Sequence, residues 1–161
     1  MAAVSQAVMA GRSPTFATTS ESTAGSSSQN LANYTYVNRN MQLPSGAVIY
    51  GLGVFAANAV TGFAIKIIQR VSAGSYNVIA SKTFNHPGGS IFTSVNLDVP
   101  VQIPATGSYY VGVSYPAAPV LNTASASIPR AYIYGNSAVG GPYTYTEDTN
   151  VNMITQYTVG S

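Results

Sequence analysis

The fold is decided by residues 91–103, which read IFTSVNLDVPVQI. Apolar or β-branched side chains occupy every second position from Ile91 to Ile103, and polar or small residues lie mostly between them. In a β-strand, successive side chains point to opposite faces. This alternation therefore predicts a β-strand with one buried face. Pro100 lacks the backbone N–H that a hydrogen-bond ladder needs, and we expect it at a sheet edge or at a break between two strands.

The same alternation continues on both sides of this run. Two alternating segments flank the turn sequence at residues 72–75 and predict a β-hairpin, and a further strand follows the turn sequence at residues 104–107. Shorter strand segments occur at residues 131–134, 143–146 and 151–159. Residues 116–129 are typical of an irregular loop. Roughly eight to ten such strands, with no persuasive helical spacing, predict an all-β sandwich or barrel.

The chain is unusually poor in charge. Its 161 residues include six Lys or Arg and four Asp or Glu, so that 6% of the side chains are charged, where a typical domain has about 25%. Soluble proteins usually rely on surface charge to prevent association, so this composition favours burial in an assembly or an extracellular location. No two basic residues are adjacent, which argues against a nucleic-acid partner. The longest apolar run, residues 47–57, carries two glycines and is about half of a membrane span, so we expect no membrane partner.

The length fits one domain, but the N-terminal region differs from the rest. Residues 20–30 are small, polar and aperiodic, as in an extended linker. Such a segment has no core of its own and becomes ordered by lying on another surface, often that of a neighbouring subunit. We therefore predict an extended N-terminal arm at residues 1–30 and a β-sandwich domain at residues 31–161.

The sequence offers few groups for catalysis. It contains no cysteine and a single histidine, His86, which lies among the turn-forming residues 85–89 and is expected to be an exposed turn residue. A hydrolase would need His86 beside Asp98 or Asp148 and a serine, and no serine lies in a nucleophile-elbow pattern. One histidine and no cysteine also leave zinc without a ligand set.

The four carboxylates are poorly placed for acid–base chemistry. Glu21 lies in the arm, Asp98 lies in the alternating run, and Glu147 and Asp148 are neighbours. Glycosidases need two carboxyl groups that face each other across a sugar bond. The adjacent pair, with nearby carbonyl groups, would suit calcium, but a solvated hairpin loop is the simpler interpretation. We therefore expect no enzyme activity, no cofactor and no metal.

The tyrosines are the most distinctive remaining feature. They form three Tyr-x-Tyr units, at residues 34–36, 132–134 and 143–145. On a strand, positions i and i+2 share a face, so each unit sets two rings side by side. Such rings are typical of a cross-strand ladder that covers a sheet, of a subunit interface, or of a platform that stacks on sugar rings. The rings that would form an interface or a glycan platform are Tyr132, Tyr134, Tyr143 and Tyr145.

Residues 95–113, VNLDVPVQIPATGSYYVGV, combine an alternating strand, a Pro-x-x-Gly turn and a Tyr-rich strand with a glycine. This combination resembles the late strands of jelly-roll sandwiches in phage virion proteins and in carbohydrate-binding modules. The charge-poor composition and the N-terminal arm are also similar to small phage head-decoration (cement) or fibre proteins. The resemblance implies a jelly-roll-like antiparallel β-sandwich, whose trimeric knobs sit on a capsid lattice and use extended arms to clamp neighbouring capsomers.

These observations lead to two functional expectations. The first is a structural virion protein at the capsid surface, extracellular after release, that binds the major capsid protein or another virion protein and associates as a homotrimer. Its arm contacts would be made by Val8, Met9, Arg12 and Phe16. The second is a glycan-binding module or a fibre or tail receptor-binding domain, whose ligand would stack on the tyrosines.

Overall fold

The structure is a computed structural model that describes residues 16–20, 27–30, 33–114 and 120–160. Within these ranges the chain forms twelve β-strands and no helix. The strands are β1 (Phe16–Ser20), β2 (Ser27–Asn30), β3 (Tyr34–Gln42), β4 (Val48–Ala56), β5 (Val60–Ser72), β6 (Ser75–His86), β7 (Ile91–Gln102), β8 (Ser108–Ser114), β9 (Val120–Tyr134), β10 (Gly140–Thr144), β11 (Thr146–Met153) and β12 (Thr155–Gly160). In the described part of the chain, no helix has the length and apolar character that a membrane crossing requires.

The strands form two antiparallel sheets that share a main core. The smaller sheet has the order β1-β12-β4-β7, and the larger sheet has the order β10-β6-β5-β8-β3-β9-β11, with β2 paired to β9. Buried side chains of both sheets meet in this core, among them Leu52 and Val54 of the smaller sheet and Ile65, Ile67 and Val111 of the larger one. The predicted all-β antiparallel sandwich is confirmed, and the arrangement is consistent with the jelly-roll-like form.

Two local predictions are confirmed by the strand pairing. The β5–β6 hairpin closes with Ser72 opposite Ser75, and Gly74 in its turn has a φ of +71°, which glycine adopts without strain. The strand β7 is an edge strand of the smaller sheet. Pro100 lies between the paired residues Asn96 and Val101 of this strand, where the register shifts and no ladder bond is needed.

The expectation of an irregular loop at residues 116–129 is wrong from Val120 onward, because β9 begins there. This strand pairs with three others, β2, β3 and β11. The backbone N–H and C=O groups of β9 therefore find hydrogen-bond partners on these neighbouring strands. Small alternating Ala and Ser residues therefore form a strand here without an apolar period in the sequence.

The larger sheet curls on itself. The strands β10 and β11 stand at opposite ends of its hydrogen-bonded order, yet only Tyr145 separates them in the chain. One residue spans at most about 3.6 Å, so the two ends of the sheet must approach each other. The Tyr145 N–H donates to the carbonyl of Gly74 at 2.8 Å, which attaches the junction to the β5–β6 turn.

The curl encloses a second, smaller core. Its buried members are Val37, Ile68, Tyr76, Val78, Tyr110, Ala131 and Tyr145. The strand β8 serves both cores, because Tyr109 and Val111 face the main core while Tyr110 faces the second one. Both faces of the central strands are thus buried, which explains why residues 63–68 are buried without interruption.

Two segments of the predicted arm pair with this chain's own sheets. The strand β1 runs antiparallel to β12, from Phe16 opposite Gly160 to Ser20 opposite Gln156. The strand β2 runs antiparallel to β9. The strand β1 thus forms the edge of the smaller sheet opposite β7. The division between arm and domain at residue 30 stays a prediction.

Candidate interaction surfaces

Two Tyr-x-Tyr units form one ladder across β3 and β9. Tyr34 lies opposite Tyr134 and Tyr36 lies opposite Tyr132 in the register of the two strands. The ring centroids are 5.4 Å apart in the first pair and 5.8 Å apart in the second, and the first pair is edge-to-face. Cross-strand aromatic pairs at this spacing stabilise a sheet. These rings are therefore part of what holds β3 to β9.

Arg130 extends the ladder by one position. Its guanidinium lies 5.4 Å from the ring centre of Tyr36 and 5.2 Å from that of Tyr132, within the range of cation–π attraction. The same guanidinium donates to both carboxylate oxygens of Asp148, at 2.7 and 3.1 Å. Burial raises the pKa of the Tyr36 hydroxyl, so this ring stays neutral beside the cation.

The four tyrosines named as an interface or glycan platform lie in two places. Tyr132 is half-buried against the main core, and its neighbour Tyr134 is 73% exposed. Tyr143 and Tyr145 pack in the second core instead. Tyr145 is buried, its hydroxyl donates to Ser137 Oγ at 3.0 Å, and burial raises its pKa to about 12. The structure therefore does not bring the four rings to one face, and only Tyr134 is largely open.

Glu147 lies in strand β11 and not in a solvated hairpin loop, so that expectation is wrong. Its carboxylate accepts hydrogen bonds from Arg70, from the Tyr76 hydroxyl at 2.5 Å and from the Gly74 N–H at 3.0 Å, and Arg39 Nη1 lies 3.1 Å away. The hydrogen bonds from Arg70 are the main cause that lowers its pKa to about 2. The basic partners come from β3 and β5, which are distant in sequence, so local turn chemistry does not reveal them.

The other carboxylates are also engaged. Asp148 pairs with Arg130 within the same sheet, and Asp98 of β7 pairs with Lys82 of β6. Within the described ranges, every carboxylate side chain therefore has a basic partner. In the same part of the chain, no cluster of three or more acidic or histidine side chains is placed to hold a metal ion.

His86 is buried at the end of β6, so the expectation of an exposed turn residue is wrong. Its Nδ1 accepts from the Gly88 N–H at 2.9 Å, and its Nε2 lies 3.1 Å from the Val54 carbonyl oxygen. A carbonyl only accepts, so Nε2 carries the proton and the ring is neutral. Burial lowers the pKa of the ring in agreement with this. Both nitrogens thus face backbone groups, and neither faces Asp98 or Asp148, as a hydrolase would require.

Sequence reasoning also overlooked Lys66. It lies between two isoleucines in β5 and is fully buried, although lysine is a charged residue. Its ammonium donates to Ser81 Oγ at 3.3 Å, to Asn136 Oδ1 at 2.8 Å and to the Ser137 carbonyl at 2.7 Å. Burial lowers its pKa to about 8. A lysine within the apolar stretch at residues 63–68 was the only signal, and its hydrogen-bond acceptors lie up to 71 residues away.

Phe16 is the one predicted arm contact that the structure describes; Val8, Met9 and Arg12 lie outside the described residues. The Phe16 ring packs edge-to-face on Tyr50 of β4, with 5.0 Å between the ring centroids. The ring remains largely exposed.

Cavities with partly apolar linings lie beside β6, β7 and Phe16. One cavity of about 390 Å³ is lined by Ile79, Ala80 and Ser81 of β6, by Leu97, Asp98, Val99 and Val101 of β7, and by Val139. A second, of about 290 Å³, is lined by Phe16, Tyr50, Asn96, Leu97 and Thr158. A third, of about 320 Å³, is lined by residues 77–79 and 139–141.

Comparison with models of known protein families gives no match, and no curated protein matches the sequence. The described residues form a charge-poor sandwich whose carboxylates are paired with basic side chains and whose smaller sheet has the edge strands β1 and β7.

Proposed function

We propose that this chain is a structural virion protein, a decoration or cement protein that binds and stabilises the shell of a phage head. The observation that carries the proposal is that the ionisable side chains bind one another or the backbone. The carboxylates of the described ranges are paired with basic side chains, and His86 and Lys66 are buried and hydrogen-bonded. The centres of protein interfaces are depleted in charged residues. A surface with so little free charge suits a protein that acts by being covered by other proteins.

The attachment to the shell is assigned to the N-terminal segment. The side chains of β1 are all exposed, and β1 is an edge strand of the smaller sheet. Residues 1–15, which include Val8, Met9 and Arg12, precede this strand in the sequence. In this proposal they bind the major capsid protein or another virion protein, and the protein is located on the capsid surface.

Self-association accompanies attachment in this proposal. The smaller sheet has two edges, β1 and β7, and neither has a second strand partner among the described residues. Unpaired sheet edges readily add a strand from another chain. Because the two edges are different surfaces, contacts between them run head to tail and close into a ring when the rotation permits. A homotrimer is such a ring.

The alternative, a glycan-binding module or a fibre or tail receptor-binding domain, has less support. It needs several open rings on one face, and Tyr132, Tyr143 and Tyr145 are half-buried or buried in two separate cores. Tyr134 alone offers a small stacking surface. The described geometry therefore favours the structural role.

The test is co-sedimentation of the purified protein with heads of the phage that encodes it, prepared without this protein. The deletion is placed at residues 1–15, because β1 and β2 are paired into the sheets and their loss would damage the fold. We expect the full chain to sediment with the heads and the shortened chain to stay in the supernatant with an unchanged circular dichroism spectrum. Undiminished binding by the folded, shortened chain would contradict the assignment of attachment to this segment.

A further inference from the structure

The pairing of the smaller sheet is interrupted at Tyr50 of β4. In the register with β7, Ile49 lies opposite Val101. The next pair is Gly51 with Asn96, so four residues of β7 stand against Tyr50 alone. The register with β12 shifts at the same position. Extra residues that oppose a single one form a bulge, which redirects side chains. The cavity of about 290 Å³ that Tyr50 lines lies at this interruption.

Two aromatic rings line this cavity on the outer face of the smaller sheet. Tyr157 and Val159 of β12 pack against the main core, so the alternate residues of this strand face outward. A Cβ added to Gly160 would collide with the Tyr50 ring, so the glycine lets this ring lie against β12. Phe16 lies opposite Gly160, and its ring, which packs edge-to-face on Tyr50, is 53% exposed. The two rings thus give the cavity an aromatic wall.

Polar side chains line the same cavity beside the rings. Thr158, which also faces outward, lies opposite Gly51, and Gly51 lies opposite Asn96. A Cβ added to Gly51 would lie 3.3 Å from Asn96 Oδ1 and 3.7 Å from Thr158 Cβ, so the glycine keeps the space between them open. The exposed Asn96 carboxamide offers donors and an acceptor. The Thr158 hydroxyl shares one hydrogen bond with the Thr18 hydroxyl, at 3.0 Å, and can form at least one more.

This lining suits a neutral ring that has one apolar face and a polar edge. None of the described residues that line the cavity is charged, so an ionic ligand would find no counter-charge there. A purely apolar ligand would bury the Asn96 carboxamide without a hydrogen bond, which is costly. A pyranose ring has an apolar C–H face, and its hydroxyl groups both donate and accept. The volume is close to the lower limit of about 300 Å³ for small-molecule sites, which suits a single sugar ring.

We propose that this cavity binds one pyranose ring of a neutral sugar. The C–H face of the sugar packs against the exposed Phe16 ring, and its hydroxyl groups form hydrogen bonds with the Asn96 carboxamide and the Thr158 hydroxyl. The site is separate from the tyrosines considered above, which belong to the larger sheet and its second core. One sugar ring needs one aromatic wall and not an extended platform. The inference does not depend on the role in a virion.

Titration of the ¹⁵N-labelled full chain with the methyl glycosides of glucose, galactose, mannose and N-acetylglucosamine, followed by NMR, tests the site. We expect at least one of the four to bind with a Kd of about 1 mM, because a single ring makes few contacts. The amide signals of Gly51 and of the Asn96 side chain should shift. Phe16→Ala and Asn96→Ala should each weaken binding about tenfold, the factor that the loss of one ring contact or one hydrogen bond gives.

Two matched variants serve as controls. Tyr134→Ala removes a more exposed aromatic ring, on β9 of the larger sheet. Asn58→Ala removes another exposed carboxamide, from the turn between β4 and β5. Neither residue lines the cavity, so both variants should bind the glycoside like the wild type.

Each result decides the proposal. Weaker binding by Phe16→Ala and Asn96→Ala, with unchanged binding by the controls, supports the site. No shift with any of the four glycosides would overturn it, and so would binding that Tyr134→Ala loses and Phe16→Ala keeps. Should Phe16→Ala lose its near-ultraviolet circular dichroism, Gly51→Ala gives the same test, because its methyl group would occupy the space beside Asn96. The head-binding assay uses a deletion that leaves Phe16 in place, so the two proposals can fail separately.

Discussion

Glu147 on β11 and Arg70 on β5 are joined by two parallel hydrogen bonds, from Arg70 Nε at 2.7 Å and from Arg70 Nη2 at 3.0 Å. The same carboxylate accepts hydrogen bonds from Tyr76 of β6 and from Gly74 in the hairpin turn. The two strands are not neighbours in the larger sheet, so this contact bridges the curl. Glu147 therefore links β5, β6 and β11 around the second core through hydrogen bonds.

The first prediction concerns the hydrogen bonds and ion pairs of Glu147. We expect Glu147→Gln to lower the free energy of unfolding by about 1–3 kcal/mol, because Arg70 and Arg39 lose their counter-charge in a half-buried site. Urea unfolding followed by circular dichroism measures the change. The control is Asp98→Asn, whose ion pair with Lys82 is exposed on the aspartate side and should contribute less than about 1 kcal/mol. Equal losses in the two variants would contradict the role of Glu147 in closing the curl.

The second prediction concerns stability in acid. The pKa of Glu147 is lowered to about 2 from an ordinary value of 4.5. The unfolded chain therefore takes up this proton first as the pH falls, and the stabilisation is full above about pH 4.5 and is lost toward pH 2. We expect the melting temperature of the wild type to fall more steeply over this interval than that of Glu147→Gln. Parallel curves for the two proteins would refute the assignment.

The third prediction concerns Lys66 in alkali. Burial lowers its pKa to about 8 from 10.5, so between these values the unfolded chain holds a proton that the folded chain has released. Stability should therefore rise with pH in this window. The informative quantity is the free energy of unfolding of the wild type minus that of Lys66→Met, because the contributions of the tyrosines cancel in the difference. We expect this difference to increase from pH 8 to pH 10, and a flat difference would mean that the buried amine does not titrate there.

The fourth prediction concerns the oligomeric state. Light scattering of the purified chain should give the mass of a trimer. The number of subunits should stay at three when residues 1–15 are removed, because the proposed ring is formed by the sheet edges. Trimers in both forms would leave the N-terminal segment available to bind the shell. Monomers in both forms would contradict the proposed self-association and would leave the low charge without its explanation.

The local pattern of the sequence was sufficient for most strands. The alternation around the turn at residues 72–75 predicted the β5–β6 hairpin, and Pro100 indicated the edge position of β7. Both signals depend on the geometry of a few consecutive residues. The strand β9 from Val120 onward was missed, because its Ala and Ser residues carry no apolar period and its pairing depends on three other strands.

The environment of the polar side chains was decided by the tertiary structure alone. His86 is followed by a turn sequence that predicted exposure, but it is buried and its Nε2 donates a hydrogen bond to the carbonyl of Val54, which is 32 residues away. Glu147 finds Arg70 at a separation of 77 residues. The sequence by itself determined the all-β fold class, the low charge and the small number of groups suited to catalysis. Which charges meet, and which become buried, depended on the closure of the larger sheet, because periodicity specifies the faces of a strand and not the strands that will cover them.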